Sequence, residues 1–156
     1  MLRVLVAGTA VLVWSVCAQA DNFTVRMENL HNEWVQVKFF SKSRSVSWPG
    51  PNLGYDLKDH GVHTYNLSVN PGERICFGAW VHKDSAVGWG EGIKGNAGCE
   101  NCCWVTSNGG FSDVVVLSIE SRGGRLVPVY HAQSHKPDPQ RPPKPAIVDA
   151  KPVIVD

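Results

Sequence analysis

The chain predicts an all-β fold: an antiparallel β-sandwich, or a barrel-like relative of one, of about seven to nine short strands stapled by disulfides. Three observations carry that expectation. Apolar and polar residues alternate over several short windows, Gly/Pro turns separate those windows, and no stretch is long enough for an amphipathic helix.

Taken in order, "FTVRMEN" (23–29) places Phe23, Val25 and Met27 on one face and Thr24, Arg26 and Glu28 on the other. "WVQVKFF" (34–40) alternates through Val35, Val37 and Phe39, and Leu30 to Glu33 between these windows reads as a hairpin loop. "HTYNLSV" (63–69) repeats the pattern through Tyr65, Leu67 and Val69. Asn70-Pro71-Gly72-Glu73 then has the Pro-Gly order of a type II turn. "RICFGAWV" (74–81), "VVVLSI" (114–119) and "RLVPVY" (125–130) are nearly continuous apolar runs, which suit strands nearer the centre of a sandwich. Pro128 offers no amide hydrogen, so the last of these belongs at a sheet edge. Asn108-Gly109-Gly110 and Arg122-Gly123-Gly124 punctuate the later strands, and the glycine-rich "VGWGEGIKGNAG" (87–98) reads as a loop.

The ends differ from the middle. Residues 1–20 carry an early Arg3, an uncharged apolar run and Ala18-Gln19-Ala20, the layout of a secretory signal peptide cut after Ala20. Residues 21–130 form the β domain, whose expected home is secreted or periplasmic. Residues 131–156 hold six of the ten prolines, and proline removes amide donors, so this tail is expected to be extended, disordered and largely unpacked. It contains a near-repeat, Lys144-Pro-Ala-Ile-Val-Asp149 and Lys151-Pro-Val-Ile-Val-Asp156, which reads either as a bivalent strand-adding segment or as an accidental duplication.

Charge excludes two classes of partner. Loss of the leader takes one basic residue, Arg3, and leaves equal numbers of basic and acidic side chains. A neutral domain without a Lys/Arg patch gives neither nucleic acid nor an anionic membrane a field to follow. Its apolar leader is also short for a stable membrane span of roughly 20 residues.

Four cysteines lie beyond the leader: Cys76, Cys99, Cys102 and Cys103, the last three inside "GCENCCW". An even number of thiols in an exported domain reads first as two disulfides. Cys76 then pairs with Cys102 or Cys103 and Cys99 takes the other, with a vicinal 102–103 bridge ranked last. Alternation along a strand turns Cys102 and Cys103 to opposite faces, so either pairing pins the loop 87–98 to the sheet. Closing roughly 25 residues contributes about 3 kcal/mol. A thiolate site for copper or zinc is the alternative, with Cys99, Cys102 and Cys103 joined by His82, or by His60 and His63, or by His131 and His135. A redox-active Cys99-x-x-Cys102 lacks the surrounding βαβ pattern.

Trp48 in "SWPGPN" and Trp89 in "GWGEG" sit in stretches with loop composition and are expected to form a contact surface, whereas Trp80 and Trp104, beside cysteines on strands, are expected to pack in the core. No spacing matches a two-carboxylate, Ser/His/Asp or metal-hydrolase arrangement, so neither a catalytic residue nor a resident cofactor is expected.

Together, "GERICFGAW" (72–80), "GWGEG" (88–92) and "GCENCCW" (98–104) resemble small secreted bacterial proteins of uncharacterised function. That resemblance implies an exported, cysteine-linked β domain and brings no catalytic residues. A more distant likeness, to thaumatin-like β sandwiches, rests on composition, and those proteins carry many more cysteines. The functional expectation is an exported, non-catalytic binding module for a protein or glycan partner. A metal-binding protein using the cysteine cluster is the second reading.

Overall fold

A computed structural model describes residues 21–106, 111–122, 125–133, 147–148 and 152–154. The leader, Asn108-Gly109-Gly110, Gly123-Gly124, His135 and most of the tail lie outside the described residues. Among the described residues all regular structure is β, in two sheets packed face to face.

The first sheet is built around β1 (Asp21–Asn29), flanked by β5 (Val62–Val69) and β9 (Phe111–Arg122). Beyond β9 lies β10 (Arg125–Gln133), and beyond β5 lies the short β11 (Ile147–Val148). The second sheet runs β12 (Pro152–Ile154), β4 (Leu53–Leu57), β2 (Val35–Ser41), β6 (Arg74–Val81), β7 (Asp84–Gly90). The two-residue β3 (Ser47–Trp48) also pairs with β2, and β8 (Cys103–Val105) with β6.

The alternating windows behave as their pattern dictates. Phe23, Val25 and Met27 of β1 and Tyr65, Leu67 and Val69 of β5 are buried, in a register that sets Val25 opposite Tyr65. From the second sheet Val35, Val37, Phe39, Ile75, Phe77 and Ala79 meet them in one core. Burial of this apolar surface is the main stabilising term of the domain. β10 is an edge strand, as Pro128 requires. The turn at 70–73 closes with the Glu73 amide donating to the Asn70 carbonyl.

Several expectations change. Leu30 to Glu33 is no hairpin, because β1 and β2 lie in different sheets and the segment carries the chain across the sandwich. The first sheet is mixed, since β9 runs parallel to β1, with Met27 beside Val115. Twelve strands are described, not seven to nine, because strands as short as two residues leave no periodicity to read. The first third of the expected loop 87–98 belongs to strand β7, paired with β6 from Gly78 to Val81. Two pieces of the tail are also paired: Ile147–Val148 runs parallel to β5, and Pro152–Ile154 antiparallel to β4. Those pieces, one from each Lys-Pro-x-Ile-Val-Asp copy, lie extended on sheet edges, as the strand-adding reading has it, since an exposed edge accepts an extended segment with free backbone groups.

Candidate functional site

The outer face of the second sheet gathers the chemistry-bearing side chains. Opposite residues in the β2–β6 register share a face, so the pairs Gln36/Trp80, Lys38/Gly78 and Phe40/Cys76 all point away from the core. Such a face ordinarily meets water. Here Gln36, Lys38 and Trp80 are nearly as buried as the core.

Residues 91–102 provide the cover. β7 and β8 lie end to end along one edge of β6, and Phe77 sits at their junction. Its amide donates to the Cys102 carbonyl, and its carbonyl accepts from the Glu91 amide. Between those two bonds the chain leaves the edge and folds over the face. Gly78 is the reason that it fits, for a Cβ there would stand 2.0 Å from the Gly92 carbonyl oxygen.

Two disulfides fasten this cover. Cys76 and Cys103 are direct cross-strand partners and are bonded to each other, and Cys99 is bonded to Cys102. The expectation that Cys102 and Cys103 face opposite ways fails, since their sulfurs are 3.8 Å apart. Strand alternation begins only at Cys103, after Asn101 has turned the chain through a positive φ of 60°. Cys76, Cys102 and Cys103 therefore form one sulfur cluster, to which Glu91 adds a carboxylate. The four donor groups lie within 4.8 Å of one another.

Glu91 is 5% exposed. Its carboxylate pairs with the Lys42 ammonium at 3.0 Å, accepts the Gly98 amide at 3.4 Å and stands 4.0 Å from the Cys99 sulfur. Lys42 also donates to the Gly95 carbonyl, which ties the loop to the end of β2. Lys38 donates to the Pro51 carbonyl, and burial lowers its pKa. At the base of β6, burial pushes the Glu73 carboxyl up, but hydrogen bonds from Arg44 and the Asn70 amide outweigh it and hold its pKa below the usual value.

At the other end of β6 the same face opens into a cleft of about 240 Å³, lined by Gln36, Trp80, His82, Lys83, Ser85 and Ile93. The Trp80 indole N–H donates to the Gln36 side chain. His82 stacks on Trp34 with ring centres 3.7 Å apart, and the Lys58 ammonium lies 4.0 Å from the centre of that ring.

The expected ligands and contacts are distributed differently. His82 follows the last residue of β6 whereas Cys76 is near its start, and six extended residues span about 20 Å, so His82 cannot complete a site with the thiols. His60 meets the Asn29 carbonyl, His63 meets Asp59 and His131 meets Glu120, all away from the cluster. The carboxylate that does reach it, Glu91, was hidden by a spacing that showed no pattern. Trp48 and Trp89 are not a shared surface: their partners Phe39 and Ala79 face the core, and so do they. Trp89 is 2% exposed, with its indole N–H on the Ser118 carbonyl of the first sheet. Trp48 is half-buried beside the Arg44 guanidinium. Trp104 packs between Phe23 and Phe77 as expected. Trp80 is buried as expected, at 2% exposed, but under the cover on the outer face and outside the main core cluster, a placement available from the phase of "RICFGAWV", where Cys76, Gly78 and Trp80 fall together.

The disulfides mark a chain that folds in an oxidising compartment. Among the described residues no helix is long and apolar enough to cross a membrane. No family model, curated protein or solved structure matches this chain.

Proposed function

We propose that the protein is an exported, non-catalytic recognition domain and that its ligand is a glycan, taken up in the cleft beside Trp80. One observation carries the reading: a cleft lined by His82, Lys83, Ser85 and Ile93 beside the buried Trp80 sits at the end of a covalently fastened, well-packed face. A pre-organised surface loses little conformational freedom on binding, so modest contacts suffice for recognition. Gln36, His82, Lys83 and Ser85 supply donors and acceptors for sugar hydroxyls, and the Trp34–His82 stack holds one of them in place. A signal peptide at residues 1–20 would deliver the domain to its ligand outside the cytosol.

A glycan array with the secreted protein tests this. Binding to a defined sugar class is expected, with a loss of about tenfold or more in the double variant His82→Ala/Lys83→Ala, since two polar contacts contribute roughly 1 kcal/mol each. Absence of glycan binding, or binding indifferent to that variant, would reject the reading.

A further inference from the structure

We propose that the two disulfides are the oxidised form of a metal site: once opened, Cys76, Cys102 and Cys103 with Glu91 bind a thiophilic divalent cation of the zinc class. This is independent of the glycan reading.

The geometry is close to what such an ion needs. Tetrahedral coordination with metal–sulfur bonds of about 2.3 Å sets sulfurs about 3.8 Å apart. Cys102 and Cys103 already stand at 3.8 Å, and no donor pair in the group exceeds 4.8 Å. The carboxylate is the second observation. Glu91 is buried beside uncharged sulfurs, and its charged partner among the described residues, Lys42, has a side chain about one-third exposed. A carboxylate so placed is costly, and a cation beside it would offset that cost better than a partly hydrated ammonium.

The redox step needs a dithiol reductant. Cys99 is half-buried and Cys102 fully buried, so the reductant's thiolate attacks the Cys99 sulfur and Cys102 leaves as a thiolate. The reductant's second thiol then displaces Cys99 and closes the reductant's own disulfide. A second equivalent enters at the half-buried Cys103 and frees Cys76. Each equivalent supplies two electrons and two protons. The incoming cation displaces the protons of three thiols, and Glu91 exchanges Lys42 for it.

Cobalt(II), a spectroscopic stand-in for zinc, tests the proposal on the secreted protein reduced anaerobically with a phosphine. One equivalent should bind with thiolate-to-cobalt charge-transfer and the intense visible bands of a tetrahedral ion, and the oxidised protein should bind none. Glu91→Gln should weaken binding roughly tenfold or more without changing the thiol count. His82→Ala should leave the spectrum unchanged. Circular dichroism is followed in parallel. A reduced protein that keeps its β signal but takes no cobalt would overturn the proposal. So would a reduced, unfolded protein that cobalt fails to refold, or binding insensitive to Glu91→Gln.

Discussion

The two sheets present different outer faces to the surroundings. On the first sheet, Thr24 and Asn66 hydrogen-bond to each other in the open, and burial along β1 and β5 alternates residue by residue. On the second, β6 is buried at seven successive positions because the core lies on one side and the loop 91–102 on the other. An unbroken apolar run in an antiparallel sheet thus reports that something covers the second face. In this protein the cover is a stretch of the chain itself, and it needs glycine beneath it and sulfur bridges at its side.

Breaking the cover should cost far more than altering the bare face. The double variant Cys76→Ala/Cys103→Ala removes the bridge that spans 27 positions and should lower stability by about 3 kcal/mol, read from the urea midpoint. Amides of the loop should then exchange quickly while those of the β1–β5 ladder stay protected. Gly78→Ala drives a methyl group against the Gly92 carbonyl and should cost about 2 kcal/mol. Should that variant be as stable as the wild type, the loop does not lie where it is described.

Smaller effects sharpen the contrast. Glu73→Gln weakens a charge-assisted hydrogen bond from Arg44 and should cost about 1 kcal/mol at neutral pH. Its folded pKa lies below the ordinary 4.5, so that contribution is complete above this value and is lost as pH falls through the folded pKa. Urea titrations of wild type and variant should therefore converge in acid and differ by a constant amount near neutrality. On the bare face, Thr24→Ala removes only an exposed side-chain pair and should change the midpoint by less than about 0.5 kcal/mol.

Much of this fold is legible in the sequence, and the failures share a cause. β1, β2, β5, β6, β9 and β10 follow from alternation and apolar runs, and the edge position of β10 from Pro128. β7 was obscured because Gly88 and Gly90 resemble turn residues. They are there because a side chain at either would strike the backbone of β6. Disulfide bonding was readable from the even number of cysteines beyond residue 20, but the pairing was not, since strand alternation does not reach Cys102. The cluster's carboxylate was out of reach altogether. Glu91 joins Cys76 only through a fold-back in space, which no linear spacing records.

One feature sets the order of events for a newly made chain. β1 is the first strand of the described chain, yet it lies in the interior of its sheet, and one of its two neighbours, β9, comes near the end. A polypeptide delivered N-terminus first must hold Met27 without Val115 until nearly the whole domain has emerged. Assembly of that sheet is a late, long-range event, slow by topology and exposed to misassociation while it waits.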